Sequence, residues 1–235
     1  MSDPQHIRYR FDLPDGSQKS LDFSFNAADF RLSNAAPAAP PAWTDLKFNQ
    51  CANCPLNAAE IRHCPAALQM VSAIEPLKAL ASFDTVGVTV TQEERTIYAQ
   101  ISAQTAMSSV LGLIMATAGC PWTDRFRPMA RFHLPFASEA ETVYRSVSMF
   151  LLARELAGTG GSRGFAALEN LYENLHVVNR DMSRRLGAAT RTDPAQNAMA
   201  LLDAYTTLLP AALESSLEEL KPLFDVWSGA EFQAI

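Results

Sequence analysis

Three of the four cysteines in this 235-residue chain stand within residues 51–65, CANCPLNAAEIRHCP, and the fourth, Cys120, lies in AGCPW. Cys54, Cys64 and Cys120 are each followed by proline. The full spacing is C-x2-C-x9-C-x55-C. Thiolate sulfur is the form that binds metal, and it is favoured where free N–H groups and a helix dipole stabilise negative charge. Proline is well suited to the first position of a helix, where its missing N–H costs nothing. Cys54 and Cys64 are therefore expected at helix N-caps, with Pro55 and Pro65 opening the helices. Cys120 follows Gly119 at the expected end of an apolar helix and would tie the cluster to the second half of the chain.

Four cysteines in a reducing compartment are a poor disulfide framework. They suit a metal centre, with Cys51, Cys54, Cys64 and Cys120 as ligands. Both an iron–sulfur cluster and structural zinc accept four cysteines. A zinc knuckle usually turns through a glycine just after its second cysteine. Here Pro55 fixes φ and forbids a left-handed turn, which favours the cluster. CANCP resembles the Cys-Pro end of a bacterial ferredoxin run over five residues, and the resemblance implies iron–sulfur chemistry rather than a family. The plain alternative is that the cysteines are small core hydrophobes. His63 and His133 are substitute ligands for a cysteine, although His63 is adjacent to Cys64 and neighbouring residues reach one metal awkwardly.

A second chemical candidate is RFRPMARFHLPF, in which Arg125, Arg127 and Arg131 precede His133. Arg127, Arg131 and His133 could line a pocket for an anionic ligand or a partner's carboxylate. The competing reading is surface arginines paired with the protein's own acids and a histidine packed between Phe132 and Leu134. GTGGSRG at 158–164 lacks both the preceding strand and the Gly-Lys-Ser/Thr of a phosphate loop, and reads as a helix connection. No Ser-His-Asp arrangement, HExxH or nucleotide fingerprint is present, so any enzymatic activity stays open.

The elements that must hold these residues follow from periodicity. Residues 7–13 and 20–25 alternate around PDGS, and residues 86–102 alternate around QEE; both read as β-hairpins, which could join in one sheet. Residues 34–43 are rich in Pro and Ala and read as an extended connection. A helix is expected from Pro65 to about Phe83, kinked or broken at Pro76. Residues 104–118 are apolar nearly all round, as in a buried helix. Ser138 and Glu141 form a capping-box pattern for a helix to about Leu156. Apolar residues from Phe165 to Leu186 recur at helical steps, with Gly187 expected to end that helix and Arg184 and Arg185 in its last turn. Asp193-Pro194 begins a further helical pattern to about Trp227, with interruptions expected at Pro210 and Pro222.

The expected architecture is α+β in one domain, 1–235: a hairpin in 1–33, a Pro-rich and Cys-rich segment in 34–64, a helix and second hairpin in 65–103, and a helical part in 104–235. The composition, 48% hydrophobic and 19% charged, is that of a soluble globular protein. A net charge of -6 argues against nucleic acid and anionic membranes as partners. The N-terminus lacks the apolar core of a signal peptide, and no apolar run is long enough to span a bilayer, so a cytoplasmic protein is expected. The functional expectation is an iron–sulfur redox or regulatory protein. The alternatives are a zinc-stabilised interaction module with a protein partner or homo-oligomer, and an enzyme or binding protein using the Arg/His133 segment.

Overall fold

Alternation decides the N-terminal half. In the computed structural model, which describes residues 4–159, 164–189 and 193–227, strands β1 (Gln5–Asp12) and β2 (Gln18–Phe25) form the first hairpin. Strands β3 (Thr85–Thr91) and β4 (Thr96–Ser102) form the second. The hairpins join through an antiparallel β1–β3 pairing, giving one sheet of order β2-β1-β3-β4. Ile7, Tyr9 and Phe11 of β1, Phe23 and Phe25 of β2, and Val86, Val88 and Val90 of β3 all face the core. Period-two alternation puts every second residue on that face, so the hairpin register and the burial agree.

Helices cover the apolar face. Helix α1 (Pro65–Ile74) stops where Pro76 removes an N–H, and the chain tightens into a 3-10 turn at Glu75–Leu77, well short of the expected Phe83. Helix α2 (Ala103–Thr117) is buried over most of its surface, as its composition requires. The arginine segment, expected only as chemistry, forms a 3-10 turn at Thr123–Phe126 and the short helix α3 (Arg127–Arg131). Helix α4 (Glu139–Leu156) opens on a complete capping box: Ser138 accepts from the Glu141 N–H while the Glu141 carboxylate accepts from Ser138. Part of the 158–164 connection, residues 160–163, lies outside the described residues.

Helix α5 (Ala166–Ala189) runs through Gly187, so the expected stop there is overturned. A Cβ on Gly187 would come 2.8 Å from the Gln196 amide nitrogen, so this glycine serves close approach to the next helix rather than termination. Because α5 continues, Arg184 and Arg185 sit inside it and not in its last turn. Helix α6 (Asp193–Leu220) is continuous across Pro210, against expectation, and gives way to a 3-10 stretch at Lys221–Trp227 that contains Pro222. The observed class is α+β, with the sheet in the N-terminal half and helices dominating the C-terminal half. Among the described residues, no helix is long and apolar enough to cross a membrane.

One polar contact fastens sheet to helices inside this core. The Tyr9 hydroxyl shares hydrogen bonds with Ser109 Oγ on α2 at 2.7 Å and with His133 Nε2 at 2.5 Å. Burial, reinforced by the nearby Arg145 charge, pushes the His133 pKa down to about 3. Below the ordinary histidine value near 6.5, the unfolded chain takes up a proton that the folded chain refuses. Stability is therefore complete above that value and falls as pH drops toward 3, by up to about 1.4 kcal/mol per unit. Urea unfolding at pH 7.5 and pH 5 should show wild type losing about 2 kcal/mol more than His133→Gln. Parallel losses in the two proteins would contradict the buried neutral imidazole.

Candidate metal centre

The C-x2-C pair occupies a tight turn in which the Cys54 N–H donates to the Cys51 carbonyl at 3.0 Å. No residue in 51–55 has positive φ, in keeping with the restriction that Pro55 imposes. Helix α5 holds this turn from one side. The Ala52 N–H donates to Asp181 Oδ2 at 2.8 Å, the Asn53 side chain donates to the Asn174 carbonyl at 3.0 Å, and the Cys51 thiol lies 4.0 Å from the Val178 carbonyl. From the other side, the Trp122 indole N–H donates to the Asn53 carbonyl at 2.8 Å. That bond joins the turn to the segment carrying Cys120.

Cys64 is the N-cap residue of α1, with Pro65 at the first helical position, as expected. Its N–H donates to the Thr44 carbonyl at 2.8 Å. Cys54 caps nothing: residues 55–57 are irregular, so the second Cys-Pro pair does not open a helix. Gly119, at φ +90°, ends α2 in the left-handed conformation and directs the chain into Cys120.

All four cysteines pack against one hydrophobic core, Cys64 buried within it and the other three half-buried at its margin. Cys51 lies within electrostatic reach of the other three, and Cys64 within reach of Cys120. Burial first, then negative charge on Cys64, Cys120, Asp181 or Cys54, pushes the Cys51 thiol up to about 12. Burial likewise raises Cys64, opposed by the Ala67 and Ala66 N–H groups and by Arg185. The sulfur makes no cap hydrogen bond of full geometry, so those N–H groups act as nearby dipoles. The helix start does favour thiolate at Cys64, but desolvation is the larger effect, and the Cys51 and Cys64 thiols stay protonated at neutral pH. Among the described residues, no group of three or more His, Cys, Asp or Glu side chains converges on a single ion position.

The residue that sequence reasoning missed is Arg185. Its side chain is 1% exposed. Its guanidinium donates to the carbonyls of Trp43 and Asp45, both at 2.7 Å, and of Leu46 at 3.1 Å, while Nε is buried without a partner. No carboxylate pairs with it among the described residues. Asp181, a few residues earlier on α5, pairs instead with Arg180 and Arg184. An amphipathic-helix pattern gives no sign that one arginine of the adjacent pair Arg184-Arg185 points inward; only the packing of residues 43–46 onto α5 reveals it. His63 is engaged through Nδ1 with Thr44 Oγ1 at 2.9 Å and lies 3.3 Å from Asp45.

The second candidate set is not brought together. His133 lines a cavity in the helical half, whereas neither Arg127 nor Arg131 does. Arg127 donates to the Asp29 carbonyl and lies near the carboxylates of Asp29 and Asp124. Arg131 stacks over Phe30 and Phe132. The cation on the cavity wall is Arg145 of α4.

The family model described as "Domain of unknown function (DUF6901)" matches residues 7–225. No curated protein and no solved structure matches the chain.

Replacing Arg185 by Met removes the donors to the Trp43, Asp45 and Leu46 carbonyls, of which Asp45's keeps the Phe48 N–H, and should cost about 2 kcal/mol or more. Arg184→Met removes only one exposed partner of Asp181 and should cost about 1 kcal/mol or less. Urea unfolding of both variants tests this. Equal costs would remove Arg185 from its role as organiser of the cysteine region.

Proposed function

We propose that this chain, which belongs to the DUF6901 family, is a metal-binding protein whose Cys51, Cys54, Cys64 and Cys120 hold an iron–sulfur cluster in a redox or regulatory role. The observation that carries the reading is the buried Arg185 cation near Cys64, in a core against which four cysteines from three separate points of the chain all pack. A metal centre ligated by four thiolates is anionic in net charge, and an arginine with no acidic partner supplies the balancing charge. Its unpartnered Nε has the same meaning, since buried donors are rarely left unsatisfied.

The donor set is four soft sulfurs, which suits iron–sulfur clusters and zinc alike. Zinc sits about 2.3 Å from each of its sulfurs, so a zinc site gathers them tightly. A [4Fe–4S] cluster gives each cysteine its own iron and accepts a wider spread. Among the described residues no three such side chains converge on one ion position, so either centre would require the sulfurs to draw together; Pro55 after the second cysteine is what favours the cluster. When bound, such a cluster supplies one-electron chemistry. The chain's own residues would ligate it, balance its charge through Arg185, and keep one side dry with α1 and α2. Three half-buried cysteines leave the other side near solvent, as an electron carrier or an oxidant sensor requires.

Protein purified without oxygen should be brown, absorb in the visible, and contain iron and acid-labile sulfide in matching amounts. Each of Cys51→Ser, Cys54→Ser, Cys64→Ser and Cys120→Ser should lower that content. A colourless protein with stoichiometric zinc would support the structural-zinc alternative. Failure to hold either metal after anaerobic reconstitution would refute the proposal. Full retention in Cys120→Ser alongside loss in Cys54→Ser would overturn the four-cysteine ligand set and point to His63.

A further inference from the structure

A cavity of about 290 Å³ lies in the helical half, bounded by α2, the 123–137 segment, α4, α5 and α6. Its volume is at the lower end of the range typical of ligand pockets, about 300–1,000 Å³. The walls are mainly apolar, with Leu113, Met115, Phe126, Phe136, Leu175 and Leu202 among them. A structureless gap in a core would be closed by packing, because interiors are as dense as organic crystals. This one is held open at Gly112, where a side chain would be expected in a buried helix. A Cβ there would meet nothing nearer than Leu202 at 3.6 Å.

The polar groups on the wall are the informative ones. Asn179 of α5 is 3% exposed and lines the cavity, yet its side-chain amide makes no hydrogen bond within the described residues. Buried amides are normally satisfied, so this one faces the cavity as a free donor and acceptor. Arg145, half-buried on α4, uses Nη2 to hold the carbonyls of Met129 at 2.6 Å and Phe132 at 2.9 Å. Its Nε and Nη1 make no hydrogen bond among the described residues, and Glu141, the acid that acts on it electrostatically, lies beyond ion-pair distance. The nearby Glu141 carboxylate is committed to the Ser138 N–H. His133 and Ser109, also on the wall, are joined to each other through Tyr9 and stay neutral hydrogen-bonding groups.

From an apolar chamber with one unpaired guanidinium and one unpaired amide, we infer that the cavity is a binding site for a small apolar carboxylic acid. Arg145 takes the carboxylate, the chamber takes the hydrocarbon, and Asn179 offers an amide to an oxygen carried on the ligand body. A fixed planar fork favours a carboxylate over a hydroxyl, and charge-assisted hydrogen bonds are the stronger kind. The site is independent of the cysteine centre and stands whether or not that centre holds metal.

Octanoate and octanol are the probes, titrated into the full-length protein and followed by calorimetry and by NMR of the Met methyl groups. Octanoate should bind saturably, and octanol at least about tenfold more weakly. Arg145→Gln should erase that preference by weakening octanoate to the octanol level. Gly112→Leu places a side chain in the chamber and a better helix former in α2, and should abolish binding of both while the thermal midpoint holds or rises. Three outcomes would overturn the inference: no saturable binding of octanoate to wild type, equal binding of octanoate and octanol, or octanoate binding unchanged in Gly112→Leu. If Arg145→Gln fails to fold, the Gly112→Leu result and the wild-type octanoate-to-octanol ratio still decide the matter.

Discussion

A charged side chain removed from water must find compensation, and in this protein that demand falls on Arg185. Its guanidinium gathers the carbonyls of Trp43, Asp45 and Leu46 onto α5. Those carbonyls belong to the stretch whose Thr44 and Leu46 pair with the chain around Cys64 and Arg62. Fixing α5 against residues 43–46 therefore fixes the start of α1. Further back on α5, Asp181 one turn and Asn174 about three turns from Arg185 fix the C-x2-C turn. The cysteine segment contains little regular structure of its own, and an irregular backbone stays in one place only when its polar groups are satisfied from outside. Helix α5 does that from one side and Trp122 from the other. Without the arginine, the segment would keep its disposition to form turns but lose the surface that arranges them.

The strands, the buried α2 and the capping box of α4 were legible in the sequence because each rests on a local rule: alternation, an apolar surface all round, a Ser-x-x-Glu start. The errors share a different origin. Gly187 was read as a stop, yet tertiary contact with Gln196 gives it another purpose. Pro210 was read as a break, yet α6 runs through it. Cys54-Pro55 was read as a helix start by analogy with Cys64-Pro65, but the residues after Pro55 give no helical period for it to open. At Gly187 a residue with a strong local preference stands where long-range packing decides the outcome.

The four candidate cysteines stand out in the sequence, and the residues that hold their segment do not. Cysteine is rare enough in the chain that three in one stretch draw attention, and the distant Cys120 shares the Cys-Pro context of Cys54 and Cys64. Arg185 and Asp181 could not be found that way, because charged residues on an amphipathic helix normally face water, and their inward turn is visible only once residues 43–53 lie across α5. The same holds for the cavity. His133 was singled out through its arginine neighbours, but those arginines turn to Asp29, Asp124 and the aromatic rings. The cation that lines the cavity, Arg145, comes from the following helix and belongs to no motif.

The protonation state of the thiols connects these observations. Burial holds Cys51 and Cys64 protonated, so the cluster of cysteines can pack as ordinary small hydrophobes in the absence of metal. Under the proposed function, ligation would release protons, and affinity for metal would rise with pH. A thiolate at Cys64, Cys120 or Cys54 would raise the cost of forming one at Cys51. A cation would offset that repulsion, and Arg185 lies near enough to Cys64 to favour its ionised form. The rest of the balancing charge would have to arrive with the metal. Such a site would have two well-separated states: protonated and apolar, or ionised around a metal centre. Partly ionised intermediates carry buried negative charge with nothing to balance it, which makes occupancy close to all-or-none.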